Sequence, residues 1–235
     1  MSVVSARSLN TLLPMSVGDF TMKPGISIVK RAIDIGVSLV GIILLAPVMM
    51  VFAILIKLDS PGPVFYLGQR VGRNGKLFTM YKFRSMYVNS PILRNPDGSM
   101  RVEKDDSRVT RIGRILRLGF DEFPQLFNVL KGDMSLIGPR PDPPEAFPYY
   151  RGQERRRLLV RPGITGLAQV SGRTDIPWRE RLKHDLVYLD RQSLWLDFKI
   201  AFDTILEFIP PLRDRRLQRG ASHSDQATGR VNSTR

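Results

Sequence analysis

Two adjacent carboxylates, Asp121 and Glu122, are the residues of this sequence best suited to carry chemistry. They stand at the start of a predicted helix whose first turn contains Pro124, a residue type favoured at that position. A carboxylate can attack phosphorus as a nucleophile, and a helix N-terminus attracts phosphate. Two carboxylates can also hold Mg²⁺, which bridges phosphate oxygens. The pair therefore indicates phosphoryl transfer, with simple helix capping as the structural alternative.

Several arginines around the acidic pair favour an anion site over capping alone. Four of them precede the pair, and two more sit where proline and glycine stiffen the backbone: Arg108, Arg111, Arg114, Arg117, Arg140 and Arg161. A guanidinium can bind phosphate oxygens through two parallel hydrogen bonds, so an arginine on a rigid turn suits phosphate recognition. Any one of these arginines alone is better explained as a solvated surface charge, and it is the group of them beside the acidic pair that indicates an anion site.

Composition removes most other kinds of catalytic centre. The 235 residues contain no cysteine and only two histidines, His184 and His223. This excludes thiol nucleophiles and Cys-ligated metal sites and leaves little material for a histidine-based triad. The sequence also has no G-x-x-x-x-G-K-[ST] phosphate-binding loop. With 36 Lys and Arg against 22 Asp and Glu, the net charge is +14, which predicts an anionic partner: nucleic acid, a membrane surface or a phosphorylated substrate.

An uncharged stretch at residues 35–56 predicts insertion into a membrane. As a helix it would be roughly 33 Å long, enough for a hydrocarbon core of about 30 Å. Pro47 near its middle removes one backbone hydrogen bond. Two topologies follow: a single spanning helix, or a re-entrant helix that bends at Ala46-Pro47 and leaves on the side it entered. Basic residues flank both ends, which favours the re-entrant form: Lys30, Arg31, Lys57, Arg70 and Arg73.

The remaining sequence predicts an α+β fold, in which a small helical domain contains one β-hairpin. The hairpin is predicted at residues 64–83, because two runs of strand-forming residues flank Asn74-Gly75, a strong hairpin signal. Helices are predicted after Asp106-Ser107, from 121 to Gly132, at 149–159, at 177–191 and at 194–209. The last of these is apolar with one polar face. It is therefore either a core packing helix or an amphipathic helix in the membrane interface.

The segment Phe120–Pro141, FDEFPQLFNVLKGDMSLIGPRP, closely resembles the signature of the bacterial sugar transferase family. These are monotopic polyprenyl-phosphate phosphoglycosyl transferases. The similarity extends to KRAID at 30–34, to YKFRSM at 81–86 and to VRPGITGLAQVSGR at 160–173. It covers about residues 28–209, and the chain resembles the short catalytic form of the family.

The resemblance implies a reaction. A nucleoside diphosphate sugar, usually a UDP-sugar, would give its sugar-1-phosphate to undecaprenyl phosphate and release UMP, at the start of exopolysaccharide, O-antigen or related glycan assembly. Asp121 would be the nucleophile that carries a covalent phosphosugar, and Glu122 would assist with Mg²⁺ and with proton transfer, so that both carboxylates are metal ligands. The resemblance also implies basic residues that contact the substrate: Lys82, Arg140, Arg161 and Arg117, with Arg114 in reserve.

Composition and the resemblance together predict four parts. The non-periodic start is a flexible arm (1–27) and the polar, Arg-rich end is a disordered basic tail (211–235). Between them lie a membrane-inserted re-entrant helix (28–58) and a catalytic domain (59–210). The catalytic domain would lie on the cytoplasmic face of the bacterial inner membrane, in contact with membrane lipids. No nucleic acid is expected, since no DNA- or RNA-binding motif is recognised. The alternative function is that of a non-catalytic, basic, membrane-anchored binding or scaffold protein. The sequence leaves open the sugar, the glycan pathway and whether a homo-oligomer forms.

Overall fold

The computed structural model describes residues 24–91, 93, 106–172 and 176–207. The predicted tail (211–235) lies outside these residues, as does nearly all of the predicted arm (1–27). Helices and strands are both present, as the sequence predicted. The elements in chain order are α1 (Pro24–Asp59), β1 (Phe65–Val71), β2 (Leu77–Phe83), α2 (Arg111–Leu116), α3 (Gln125–Lys131), β3 (Ser135–Ile137), β4 (Gly163–Thr165), α4 (Leu167–Gly172), α5 (Trp178–Asp190) and α6 (Leu194–Glu207).

Strands β1 and β2 form the predicted antiparallel hairpin, in which Phe65 lies opposite Phe83. The turn between them is a short 3₁₀ segment. Asn74 has a φ of 56° and Gly75 a φ of 74°, left-handed values that asparagine and glycine tolerate best. The local turn signal therefore located the hairpin correctly.

A second pair of strands, β3 and β4, is parallel, with Ser135 opposite Gly163 and Ile137 opposite Thr165. Each strand has three residues, too few to show the alternating pattern that identifies a strand, so the sequence did not predict them. The pairing holds the segment after β3 next to the segment before β4.

The start of α2 differs from the prediction. The helix begins at Arg111 rather than directly after Asp106-Ser107, because Thr110 caps it. The Thr110 Oγ1 atom accepts a hydrogen bond of 2.9 Å from the backbone N–H of Gly113. Threonine and aspartate are both good capping residues, and the sequence alone does not decide which of them is used.

Helix α3 also starts later than predicted, at Gln125, and the acidic pair occupies a separate 3₁₀ turn before it. Its end is as predicted, since Gly132 adopts a left-handed φ of 90°. The helix predicted at 149–159 is present as a 3₁₀ segment, Gly152–Leu159.

Helix α1 remains helical across Pro47. Its residues 27–59 are long and apolar enough to cross a membrane by length and composition, with a mean hydropathy of 3.0 in an 18-residue window. Only 6% of that window is buried, so α1 carries an apolar surface that the described part of the protein does not cover. The choice between a spanning and a re-entrant helix stays a prediction.

The first turns of α1 are fastened to the domain by polar contacts. Arg31 donates hydrogen bonds to the carbonyl oxygens of Val129 and Leu130 in the last turn of α3, at 2.7 and 2.9 Å. Asp34 is buried and accepts a hydrogen bond of 3.0 Å from the backbone N–H of Leu136. The start of α1 is thereby fixed against α3 and β3.

The end of α1 is fastened to the same domain. Asp59 accepts a hydrogen bond of 3.1 Å from the backbone N–H of Ile112. The buried guanidinium of Arg84, directly after β2, donates to the carbonyl oxygens of Ser60 and Pro61, both at 2.7 Å. Both ends of α1 therefore contact one folded domain.

Helix α6 buries only one side. Asp197 is buried and forms an ion pair of 2.6 Å with Lys30 of α1. Four large apolar side chains on this helix are 52–73% exposed: Trp195, Phe198, Phe202 and Ile205. A core packing helix would bury such side chains, so this exposure favours the interfacial alternative.

Candidate active site

The carboxylates of Asp121 and Glu122 lie on the 3₁₀ turn between α2 and α3. The turn follows Gly119, whose φ of 125° would strain a residue that has a Cβ atom. In the same turn, Phe120 packs on Phe52 of α1, with ring centroids 5.4 Å apart. The acidic pair therefore stands where the apolar helix meets the folded domain.

The ammonium group of Lys82, on β2, contacts both carboxylates. Its Nζ atom lies 3.1 Å from Asp121 Oδ2 and 2.7 Å from Glu122 Oε1. All three side chains are largely buried, with exposed fractions of 13–19%. Hydrogen bonds between charged groups are short and strong, so Lys82 holds the two carboxylates in one geometry. The structure thus brings Lys82, which the resemblance implied as a substrate-binding residue, to the acidic pair.

Asn128 of α3 positions β2 beside the acidic turn, and the sequence analysis missed it. Its amide group pairs with the edge of β2 as a neighbouring strand would: Nδ2 donates to Thr79 O at 2.7 Å, and Oδ1 accepts from Tyr81 N at 2.9 Å. Asn128 is fully buried. In the sequence, Asn128 is recognisable as a single amide side chain between apolar residues of an amphipathic helix.

Arg140 binds Glu122 from another side. Its NH1 donates to Oε2 at 3.3 Å and its NH2 donates to Oε1, so the planar guanidinium engages both carboxylate oxygens. Burial raises the pKa of Glu122, but the charges of Arg140 and Lys82 together outweigh burial and hold that pKa well below its usual value. Glu122 is therefore ionised, and a carboxylate so strongly stabilised is a poor proton acceptor.

Of the two arginines considered before the acidic pair, Arg117 lies at the site. It is half-buried, its Nε donates to Ser85 Oγ at 3.4 Å, and it lines the same cavity as Asp121. Arg114 is exposed and does not line that cavity.

A cavity of about 560 Å³ opens beside the acidic pair. One part of its wall is charged and includes Arg117, Asp121, Glu122 and Arg140. Another part is apolar and includes Leu45 of α1, Leu118, Phe123 and Leu126. A site of this size with convergent charges and an apolar wall suits a ligand that has both an anionic and an apolar part.

The structure does not bring Arg161 to the acidic pair. Its Nε donates to Gly132 O at 2.9 Å, and its side chain lines a second, small cavity together with Arg31 and Arg73. The carbonyl groups at the end of α3 lack helical partners, and Arg161 and Arg31 supply hydrogen bonds there. The contact with substrate predicted for Arg161 therefore has no support in this placement.

The carboxylate oxygens of Asp121 and Glu122 are donors of the kind that a magnesium ion prefers. Among the described residues, no group of three or more histidine and acidic side chains gathers as a metal cage. Mg²⁺ is commonly held by one or two carboxylates together with substrate phosphates and water, however, and oxygen ligands suit it. Asp121 has a hydrogen bond from Lys82 to only one of its oxygens among the contacts of the described residues.

Comparison with known proteins finds the same family that the sequence motifs resemble. The sequence profile of the family described as bacterial sugar transferase matches residues 25–210. A UDP-N-acetylgalactosamine-undecaprenyl-phosphate N-acetylgalactosaminephosphotransferase of Aeromonas hydrophila is 44% identical over 200 residues, which cover 80% of this chain and 45% of that protein. An undecaprenyl-phosphate glucose phosphotransferase of Komagataeibacter xylinus is 45% identical over 192 residues, 75% of this chain and 35% of that protein.

For a third relative, the matched region covers almost the whole length of that protein. The exopolysaccharide production protein ExoY of Sinorhizobium fredii is 35% identical over 215 residues, which cover 86% of this chain and 94% of that protein. The chain therefore spans less than half the length of the first two relatives and nearly the whole length of the third.

Proposed function

The chain belongs to the bacterial sugar transferase family, and on that basis we propose that it transfers a sugar-1-phosphate from a nucleotide sugar, with UDP as the nucleotide, to undecaprenyl phosphate. The product would begin the assembly of an exopolysaccharide, an O-antigen or a related glycan. Two of the relatives are named as phosphotransferases that use undecaprenyl phosphate. The observation that carries the proposal is the pair Asp121 and Glu122, held by Lys82 and Arg140 beside a cavity with charged and apolar walls.

In the first step, Asp121 acts as the nucleophile. A carboxylate oxygen of Asp121 forms a bond to the phosphorus that carries the sugar, and the bond from this phosphorus to the bridging oxygen breaks. UMP leaves with the electron pair of that bond. In the second step, a phosphate oxygen of undecaprenyl phosphate attacks the same phosphorus, and the Asp121 carboxylate leaves. Asp121 suits this role because its carboxylate pairs with Lys82, whereas the carboxylate of Glu122 is bound by both Lys82 and Arg140 and is less free to react.

The cations at the site would stabilise negative charge on the phosphates. Lys82 and Arg140 are paired with the two carboxylates of Asp121 and Glu122 before the donor binds, so neither cation is a buried charge without a counter-charge. When a diphosphate enters, its oxygens offer these cations additional acceptors, and Arg117 adds a third cation on the cavity wall. Glu122 then serves to hold Lys82 and Arg140 in place, rather than to move a proton.

Asp121 and Glu122 would hold Mg²⁺ jointly with the phosphates of the donor. A magnesium ion held by these two carboxylates would supply positive charge against the negative charge that develops on the phosphates during transfer. The protein contributes the two carboxylates and their fixed spacing, which Lys82 maintains.

The attachment of both ends of α1 to one domain supports the re-entrant topology. Asp34 and Ile56 are separated by roughly 33 Å in a straight helix, about the thickness of a hydrocarbon core. If α1 spanned the bilayer, the polar contacts of Asp34 and those of Asp59 would have to form on opposite faces of the membrane. A helix that enters and leaves on the cytoplasmic face satisfies both sets, and the exposed apolar face of α6 would then lie at the same interface.

A labelling experiment distinguishes the two topologies. Because the protein has no cysteine, single cysteines can be placed at Ser27 and at Lys57, which flank the apolar part of α1. We expect a membrane-impermeant maleimide to label both positions in inside-out vesicles and neither in intact cells. A cysteine at Arg151, in the domain, is the control for the cytoplasmic face. Labelling of position 27 in intact cells, with position 57 protected, would establish a spanning helix.

The two predicted donor-binding arginines should respond differently to the same change. Arg140→Lys keeps the charge but loses the planar fork, so we expect kcat/KM for the donor to fall by roughly 10- to 100-fold. Arg161→Lys should lower the melting temperature, because Arg161 supports the end of α3, and should leave kcat/KM within about twofold. Steady-state kinetics and thermal unfolding of both purified variants provide the measurement. An equal fall in kcat/KM in the two variants would instead indicate that Arg161 binds the donor.

The proposed activity itself is tested by UMP release. The protein in detergent or nanodiscs is incubated with undecaprenyl phosphate, Mg²⁺ and UDP-glucose, UDP-galactose or UDP-N-acetylgalactosamine. We expect UMP to form with at least one donor and a lipid-linked diphosphate sugar to appear in equal amount. Absence of both products with a broad set of nucleotide sugars, together with retained binding to anionic vesicles, would favour the non-catalytic membrane-anchored alternative.

A further inference from the structure

We infer that Arg157 is a positioning residue for Arg140, and this inference rests on the proposed function. Arg157 lies in the 3₁₀ segment before β4, and its side chain is only 4% exposed. The NH2 group of Arg157 donates a hydrogen bond of 2.6 Å to the backbone carbonyl oxygen of Arg140. The residue that binds Glu122 is thus itself held by a second, buried arginine, which also lines the wall of the same cavity.

Arg157 contacts the residues on both sides of Pro141. In addition to the carbonyl of Arg140, its NH1 group donates to the carboxylate of Asp142, two residues further along the chain. Asp142 is itself fixed, since it accepts hydrogen bonds from Tyr150 OH at 2.9 Å and from Trp178 Nε1 at 3.2 Å. The short segment that carries Arg140 is therefore anchored at two points, neither of which is the Arg140 side chain.

Arg157 is in turn oriented by its own partners. Its Nε donates to Asp185 Oδ2 of α5 at 2.9 Å, and its NH1 also donates to Tyr150 OH at 2.6 Å. Asp185 is 2% exposed, so this contact is made in the protein interior. The result is a continuous series of contacts from α5 through Arg157 to the Arg140 backbone and then to Glu122.

Stability alone is a weak explanation for this cluster. A buried ion pair often contributes no more to folding than apolar side chains of similar size would, because its charges must be removed from water. A phosphoryl-transfer site, however, requires its charged groups to be placed accurately, and a misplacement of about 1 Å can cost roughly 100-fold in rate. The four directed hydrogen bonds of Arg157 supply such accuracy for Arg140, and a lysine could not reproduce them.

A double-mutant cycle with Arg140 tests the inference. In the otherwise unaltered protein, we expect Arg157→Lys to lower kcat/KM for the donor by roughly 10- to 100-fold. In the Arg140→Lys background, Arg157→Lys should lower kcat/KM by less than about threefold. The guanidinium that Arg157 positions is already absent from that background. A purely structural role for Arg157 predicts equal losses in both backgrounds, and that result would overturn the inference. Arg156→Lys, at the half-buried neighbouring arginine that pairs with Asp190, is the matched control and should leave kcat/KM within about twofold.

Milder variants keep the test decisive if Arg157→Lys does not fold. Tyr150→Phe removes one hydroxyl that contacts Arg157 and Asp142, and Asp185→Asn weakens the contact behind Arg157. Each should lower kcat/KM by about three- to tenfold alone and by less in the Arg140→Lys background. Additive losses for these variants would overturn the inference as well. If the unaltered protein releases no UMP, the proposed function fails; if it is active and the cycles are additive, only the role of Arg157 fails.

Discussion

Asp121→Asn should abolish the activity, with kcat reduced by roughly 10³-fold or more, because it replaces the anionic nucleophile by a neutral amide of almost the same shape. The variant should nevertheless fold. Asp121 does not cap α3, which begins at Gln125, and its one hydrogen bond in the described structure comes from Lys82. An asparagine oxygen can still accept that bond, so we expect the melting temperature to change little.

The covalent intermediate provides the direct measurement for this prediction. Without undecaprenyl phosphate, the unaltered protein should release UMP up to about one equivalent and retain the radiolabelled phosphosugar. Asp121→Asn should do neither. Asp133→Asn is the matched control, because Asp133 is also close to a lysine, Lys131, but lies at the other end of α3. Turnover by Asp121→Asn at the rate of the unaltered protein, or label retained on it at the same level, would contradict the proposed mechanism.

Features set by local sequence could be predicted, and the hairpin is the clearest case. Asn74-Gly75 favours a left-handed turn whatever the rest of the chain does, and the flanking residues 65–71 and 77–83 then pair as neighbours. Gly132 ends α3 for a similar local reason. Each of these features depends on a few adjacent residues, so the rest of the fold does not change the local structure that they predict.

The direction of a side chain on a rigid turn could not be predicted in the same way. Prolines stiffen the backbone next to both arginines in the sequence, Pro139 and Pro141 beside Arg140 and Pro162 after Arg161. Arg140 reaches Glu122, whereas Arg161 reaches Gly132 O, because the parallel pairing of β3 with β4 sets the second arginine beside the end of α3. That pairing joins strands far apart in the chain, and no local pattern reports it.

Buried polar residues are the second class that sequence reasoning passed over. Asn128 and Arg157 were not distinguished from other polar residues, since a lone amide or an arginine in a basic run is ordinarily on the surface. Both are buried in the structure and both act on the site through the backbone, Asn128 through β2 and Arg157 through the Arg140 carbonyl. Their importance comes from what they contact, which only the folded chain shows.

Glu122→Gln should lower kcat/KM by roughly 10- to 100-fold, and covalent labelling of Asp121 should persist at a reduced rate. The glutamine would leave Lys82 and Arg140 without a shared carboxylate, so both cations would be held less firmly. If Glu122 only positions these cations, the pH–rate profile of the unaltered protein should show no limb between about pH 5.5 and 8 that the substitution removes. A limb that disappears in Glu122→Gln would instead assign proton transfer to this residue.

The same substitution should change the pH dependence of stability in a defined direction. Because Arg140 and Lys82 hold the pKa of Glu122 below its ordinary value near 4.5, the carboxylate contributes stability above that pH. The contribution is lost as the pH falls through the lower pKa of the folded protein. The difference in melting temperature between the unaltered protein and Glu122→Gln should therefore be constant from about pH 5.5 to 7 and shrink at more acidic pH. A difference that grows on acidification would mean that Glu122 is protonated in the folded site, and that its pairing with Arg140 and Lys82 does not dominate its charge state.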